Sequence, residues 1–404
     1  MGRMAKAILV LAALAFVVTY HTGDVLAGPG KPDKVQLACI PDMTGPYAAI
    51  VGPAYVAFMD ACEYVNDTGG IQGVKVEPIV RDSGGKIDVG ISHYMEIKEM
   101  KPRPQVIFGV VSGIGEALKQ RLVEDQFPAI WVCSTEVVYP AGYTFGWYPT
   151  YADLCGLFID WLAETHKGPD RPKLAFLTWD TTYGKAVLYD EVFEYAKKKG
   201  IDVVAQELFT VRDVDVTTQL VRIREKGANW IFTNTAGKGP VIVAKGIKEL
   251  GYKVGLAGSI GLDESSLYID PEAMEGAITV HYRASWAEKD NPGVQIMSKY
   301  AEKNKRKETD KGIMYAMGFT GVLVAKEAIS RAVDKVGWDK LNGAAVKAEM
   351  EAMKDFSALD IAHYTYGTTR RAPSKAKIFQ AKEKELIPIT GWRDCPDLRP
   401  EKYK

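Results

Sequence analysis

Two short hydroxyl-bearing stretches, each directly after an apolar run, are the positions in this sequence best suited to grip an anion. Ser112-Gly113 follows the run 105–111 and opens the helix-patterned stretch 116–124. The first turn of a helix leaves backbone N–H groups without intrahelical partners at its positive end, a ready seat for a carboxylate. Cys133, Ser134 and Thr135 close the run 128–133 in the same way and add hydroxyl donors. A serine placed like Ser112 more commonly caps its helix. The two duties are compatible, because a cap leaves other N–H groups free. Similar loops recur along the chain: 42–47, ending in Tyr47; 179–184, with Trp179 and Tyr183; 234–237, with Ala236; and 259–261, with Ile260.

Other chemistries leave signatures that are missing. The run around Ser112 reads Val110-Val-Ser-Gly-Ile-Gly115, which is not the nucleophile-elbow pattern. The histidines, at 21, 93, 166, 281 and 363, are isolated, without the spacing of a zinc-binding helix. Gly113 and Gly115 follow a strand but lack the third glycine of the dinucleotide fingerprint, and no phosphate-loop Gly-Lys-Ser/Thr occurs. No metal or cofactor is expected. Lys+Arg and Asp+Glu are both 51, so the basic surface of a nucleic-acid binder is not expected either.

The elements that must position these loops alternate. Strand-like runs at 35–41, 75–82, 105–111, 128–133, 173–179, 202–209, 229–235, 253–259 and 276–282 are separated by amphipathic stretches. That order predicts an α/β fold with parallel sheets covered on both faces. Val51, Tyr55, Phe58, Cys62 and Val65 mark one buried helical face, and the cluster 66–70 ends it. Leu188, Val192 and Tyr195, then Val241, Ala244, Ile247 and Leu250, repeat the arrangement in the second half. The aromatic stretch 143–151 between the two series reads as a crossing segment. Beyond Tyr282, helices are expected at 313–333 and 338–353, then strands at 377–381 and 386–392.

A basic start, the apolar run 7–20 and Val25-Leu-Ala27 read as a secretory signal peptide over 1–27. No later segment is read as a membrane span. The five cysteines are scattered and suit small buried hydrophobes better than a metal site.

Thr44-Gly-Pro-Tyr-Ala48, Asn66-Asp-Thr-Gly-Gly-Ile-Gln-Gly73, Arg81-Asp82, Val110–Gly113, Asp180-x-x-Tyr183-Gly184 and Gly258-x-x-Gly261-Leu-Asp263 occur in the order and spacing of a known family. On these the chain resembles the leucine/isoleucine/valine type of periplasmic substrate-binding protein. The resemblance implies a type I two-lobed fold with three hinge crossings, a periplasmic location, a small-molecule ligand in the cleft and a membrane ABC permease as partner. It implies lobe one over 33–147 plus 283–362 and lobe two over 148–282 plus 363–400. Ser112 and Thr135, with Cys133 or Ser134, match positions that hold a ligand carboxylate, and Tyr183 matches an aromatic that covers the ligand.

Two departures bear on the ligand. Ile260 stands where amino-acid binders carry an acid, and the aromatic expected near Ala236 is missing. A buried ammonium without a counter-charge is expensive. Either Asp42, Asp180 or Asp263 replaces the acid, or the ligand lacks an amine. The second is preferred, with Tyr47, Trp179 and Tyr183 offering ring surface to a hydrophobic or aromatic carboxylate; an amino acid is the alternative. A sensory binding protein of the same fold is a further reading. The different-class reading is an exported amidase with Cys133 or Ser134 as nucleophile.

Overall fold

The computed structural model describes residues 30–404, so the signal-peptide reading lies outside the described residues. The first sheet contains β1 (Lys34–Ile40), β2 (Lys75–Val80), β3 (Val106–Gly109), β4 (Ala129–Trp131) and β5 (Thr144–Gly146). All its pairings are parallel, in the order β2-β1-β3-β4-β5. The second sheet begins with β6 (Lys173–Trp179), β7 (Asp202–Phe209), β8 (Trp230–Thr233), β9 (Gly255–Gly258) and β10 (Ile278–His281), again parallel. A small hairpin, β11 (Phe356–Ala358) with β12 (Ala362–Tyr364), precedes β13 (Lys375–Lys382) and β14 (Glu385–Pro388). These last two extend the second sheet antiparallel, giving the order β14-β13-β10-β9-β8-β6-β7. The fold is α/β, with the chain passing between the sheets after Gly146, after His281 and after Tyr364.

Burial along the strands explains their composition. In β1 every residue after Lys34 is buried, and β6 is buried from Leu174 to Thr178, as expected of parallel strands covered on both faces. The edge strand β7 is mostly half-exposed. Helices Ala48–Asp67 and Ile313–Val336 are long and apolar enough to cross a membrane by length and composition, although neither is an unbroken apolar run. Here they pack against each other in the first lobe's interior. Gly318 makes that approach feasible, since a Cβ there would lie 2.0 Å from the Ala54 carbonyl oxygen.

The predicted strands 173–179 and 202–209 match the structure to the residue. Three readings do not hold. The stretch 143–151 is not only a crossing: its first part forms β5, paired with β4 from Thr144 to Gly146. The helix expected over 338–353 is a 3-10 turn, Trp338–Lys340, and a separate helix, Gly343–Glu351, whose N-terminus Asn342 caps by accepting the Ala345 N–H at 3.0 Å. The strand expected over 386–392 spans only Glu385–Pro388.

The crossing into the second lobe carries a buried acid. Asp153, in the first turn of helix Tyr151–Thr165, accepts the Leu398 N–H at 2.8 Å and lies 3.7 Å from Arg370. Burial outweighs these partners and pushes its carboxyl up to about 6. A raised carboxyl binds its proton more tightly folded than unfolded. Its ionisation therefore costs stability above about pH 6, and that cost disappears as pH falls toward the ordinary carboxylate value. The shift corresponds to about 3 kcal/mol. Asp153→Asn keeps the acceptor for Leu398 and removes the charge. It is expected to melt higher than the parent at pH 7, with the gap closing between about pH 6 and 4 in a pH series of thermal melts.

Candidate functional site

The carboxyl ends of β1, β3 and β4 in one sheet, and of β6, β8 and β9 in the other, carry the loops singled out in the sequence. In open parallel sheets this is the edge where ligands bind. Ser112 is the first residue of helix Ser112–Glu124, whose N-cap is Val111, and no side chain caps that helix. The capping role for Ser112 is therefore set aside. Its hydroxyl instead bonds the Ser134 hydroxyl at 3.0 Å. Among the described residues the first helical N–H groups to find backbone acceptors are those of Ile114 and Gly115, both on the Val111 carbonyl, which leaves Ser112 and Gly113 N–H without one. A Cβ at Gly113 would lie 3.1 Å from Ile87, so glycine keeps that turn open. Ser134 and Thr135 are both buried, and Lys119 anchors their loop by donating to the carbonyls of Glu136 (2.5 Å) and Tyr139 (2.8 Å).

In the second lobe the loops are tied together by a buried polar network. The Thr178 hydroxyl donates to the carbonyls of Gly184 (3.0 Å) and Asn234 (2.9 Å). The Asn234 amide donates to the Tyr183 carbonyl at 2.6 Å, and its oxygen accepts the Ser259 hydroxyl. Thr279 on β10 donates to the Ser259 carbonyl at 3.0 Å. Satisfied networks of this kind hold loops in one arrangement. Tyr183 belongs to this framework: its hydroxyl donates to the Thr235 carbonyl at 3.2 Å and its ring stands edge-on to Tyr151, centroids 4.8 Å apart. Burial raises its phenol well above the ordinary value. Gly261 completes the packing, because a Cβ there would lie 2.5 Å from the Tyr183 hydroxyl and 2.1 Å from the Thr235 oxygen.

Tyr189, which sequence reasoning missed, reaches across to the first lobe. Its hydroxyl donates to Glu136 Oε1 at 3.2 Å. It sits beyond a short helical turn at 182–185, at the N-cap of helix Asp190–Lys198, where no periodicity marks it. The nearest signal was its place in the second-half loop beyond Tyr183.

Of the sequence-selected residues, Ser112, Gly113, Ser134 and Thr135 come together. Trp179 and Tyr183 form a second group, ring centroids 6.1 Å apart, with the half-buried Ala236 on the adjoining loop. Three take no place in either group. Tyr47 is half exposed at the N-cap of helix Ala48–Asp67. Ile260 is buried in the apolar core. Cys133 is fully buried, its sulfur facing Gly146, because consecutive residues of extended backbone point to opposite sides and Ser134 takes the loop side.

The three acids considered as replacements for the one absent at Ile260 are already engaged. Asp42 accepts the N–H groups of Gly45 (2.6 Å) and Tyr47 (2.9 Å). Asp180 pairs with Lys185 at 2.6 Å on the surface. Asp263 accepts from Ser265 N–H at 3.1 Å and Ile313 N–H at 3.3 Å, and burial beside Glu264 raises its carboxyl.

The amidase arrangement finds no support in the geometry. Burial drives the Cys133 thiol well above its ordinary range, which disfavours the thiolate a nucleophile requires. His93 faces Asp82 and Glu96, His166 Asp170, His281 Leu262 and His363 the Asp355–Asp360 pair, and none of the four bonds Ser134. A hollow of about 490 Å³ opens elsewhere, bounded by Glu264, Tyr268, Trp286, Lys299, Lys311 and Lys384; Ser112 and Thr135 do not line it.

Comparison with known proteins bears on the whole chain. The sequence profile of the periplasmic binding protein family matches residues 34–385. No curated protein matches the chain. Among solved structures it is similar to a branched chain amino acid ABC transporter protein from Thermus thermophilus with bound valine, with TM-score 0.80 and 20% identity over 90% of this chain and 97% of that one. It is also similar to a fatty acid ABC transporter substrate-binding protein from Thermomonospora curvata (TM-score 0.77, 20% identity, 92% and 95% covered). A third is an ABC transporter solute binding protein from Rhodopseudomonas palustris BisB5 in complex with 3,4-dihydroxy benzoic acid (TM-score 0.71, 19% identity, 92% and 100% covered). At these identities the likeness carries the fold and not the ligand. The profile begins at the first residue of β1 and ends at the first residue of β14, so it takes in both sheets and the connections between them: the chain belongs to the periplasmic binding protein family.

Proposed function

We propose that this protein captures a small organic carboxylate or amino-acid-like molecule outside the cytoplasm, between lobe one (33–147 plus 283–362) and lobe two (148–282 plus 363–400), and delivers it to an ABC-type importer in the membrane. The observation that carries this reading is the open N-terminus of helix Ser112–Glu124. The Ser112 hydroxyl is turned to Ser134, and the N–H groups of Ser112 and Gly113 are left for a ligand. Oriented N–H groups and hydroxyls at a helix N-terminus favour an anion. Valine, fatty acids and dihydroxybenzoate, named for the three similar structures, differ in size and polarity but share a carboxylate. Membership of a periplasmic binding protein family implies the extracytoplasmic location.

Ligand seated on the first lobe is covered when the second lobe closes, and exclusion of water then strengthens each polar contact. Only contacts made better in the closed form can drive closure. That role falls to Tyr189, since Tyr183 spends its hydroxyl within its own lobe. A thermal-shift screen of branched amino acids, aromatic acids and their amides tests the reading. Carboxylates should raise the melting temperature without being consumed, and the matching amides should not. Stabilisation by amides alone, or turnover of any hit, would oppose it.

A further inference from the structure

Beyond residue 385, where the family profile ends, the chain adds a segment that touches both lobes. Its first part is fixed to the second lobe. Arg393–Asp394 pairs with β13 at Lys375 and Ala376, and the Arg393 guanidinium holds the Glu164 carboxylate at 2.7 and 2.5 Å. The Leu398 N–H reaches the buried Asp153. Pro396 and Leu398 lie so close over Gly156 of the same helix that a Cβ there would come within 2.4 and 2.6 Å of them. Past this anchor the segment turns to the first lobe. Asp397 holds the Arg399 guanidinium through Nε (2.8 Å) and Nη2 (2.6 Å), a bidentate pair that fixes its plane. The buried Arg399 guanidinium lies 4.5 Å from the centroid of the Tyr139 ring, and the Tyr403 ring stacks on Tyr139 with centroids 6.3 Å apart. The Glu401 N–H returns to the second lobe, donating to Glu191 of helix Asp190–Lys198 at 2.9 Å.

Both ends of this bridge adjoin the one described hydrogen bond between Tyr189 and Glu136. Tyr139 ends the short helix Thr135–Val138, which carries Glu136, and Glu191 stands two residues beyond Tyr189. The crossings after Gly146, His281 and Tyr364 are covalent, whereas the grip on Tyr139 is non-covalent and can be made or broken. We infer that residues 399–403 are a releasable latch: anchored on the second lobe, they grip Tyr139 of the first and bias the ligand-free protein toward the arrangement in which Tyr189 meets Glu136. Contacts made in one arrangement and lost in the other shift the balance by their own free energy. A cation over a ring and a stacked ring pair are individually modest, so together they move a two-state population several-fold without locking it. The latch acts before any ligand arrives and does not depend on what the ligand is.

Pulsed dipolar spectroscopy on the ligand-free protein tests it, with spin labels on Lys86→Cys beyond β2 and Arg212→Cys beyond β7, both exposed and on opposite lobes. The five native cysteines are buried and shielded from the label. Arg399→Ala combined with Tyr403→Ala should raise the share of long label separations by about threefold or more. Tyr403→Ala alone removes the stacked ring without touching the buried Arg399, and should shift the separations the same way by less. Tyr403→Phe keeps the ring and should match the parent. Melting curves report whether each variant is folded; should the double variant not be, Tyr403→Ala decides. Unchanged or shorter separations in the folded alanine variants would overturn the latch and leave the binding reading standing. A Tyr403→Phe protein that opens as far as Tyr403→Ala would overturn it too.

Discussion

Ser112→Ala combined with Thr135→Ala is expected to weaken binding of the carboxylate ligand by roughly 10²–10⁴-fold. With Ser134 donating to its oxygen, the Ser112 hydroxyl keeps its own hydrogen for the ligand; it and the Thr135 hydroxyl would each donate to a charged group in a site shielded from water, and such bonds contribute about 1.5–3 kcal/mol apiece. The fold should tolerate both changes. Ser112 does not cap its helix, so its loss removes one bond to Ser134 and not a helix terminus. Titration calorimetry on the single and double variants gives the losses, and melting curves without ligand give the control. Single losses need not add, because Ser112, Ser134 and Thr135 adjoin one another. Affinity unchanged in the double variant would move the site away from this helix.

The second large effect concerns stability. Arg283 follows β10 at the chain's return to the first lobe; its side chain is fully buried, its guanidinium pairs with the buried Glu264, and it also donates to the Ala284 carbonyl at 2.9 Å. Asp263 is adjacent and also buried. Arg283→Met would leave two acids in a dry pocket without their cation. Breaking a buried pair in this way costs about 3–5 kcal/mol. Urea unfolding of Arg283→Met should show a loss of that order, and adding Glu264→Leu should recover a substantial part of it. The recovery is the informative half, because it separates an uncompensated charge from lost packing. If the double variant were no more stable than Arg283→Met, the pair would matter through its shape and not its charge.

The parts of this architecture that were legible in the sequence share a physical origin. Strands covered on both faces must be continuously apolar, so β6 stood out at its full length, while the half-exposed edge strand β7 was marked by its β-branched and apolar residues Val203, Val204, Leu208 and Phe209. Loops at the carboxyl edge of such strands are short, and small hydroxyl residues there have few structural duties, which is why Ser112, Ser134 and Thr135 were singled out as candidates. The failures are equally specific. β5 has three residues, too few for any period to show. Cys133 was grouped with its neighbours by adjacency, although backbone alternation sends its side chain to the core. Ile260 was placed in the site by correspondence with an acid in relatives, and an apolar side chain there turns inward.

Tyr189 and Glu136 were missed for a different reason. Their meeting depends on how the two lobes face each other, 53 positions apart in sequence, and nothing local in either stretch encodes that approach. Asn234 was recognised only as part of a small-residue loop. Its contribution is to bind Tyr183 and Ser259 at once, which becomes apparent only when β6, β8 and β9 are side by side.

The most direct test of the account is a crystal structure of the protein with a carboxylate found in the ligand screen. The account predicts carboxylate oxygens within hydrogen-bonding distance of the Ser112 and Gly113 N–H groups and of the Thr135 hydroxyl, with Tyr189 closed over them. A ligand seated instead in the hollow beside Glu264 and Trp286, with the loop at Ser112 untouched, would contradict it.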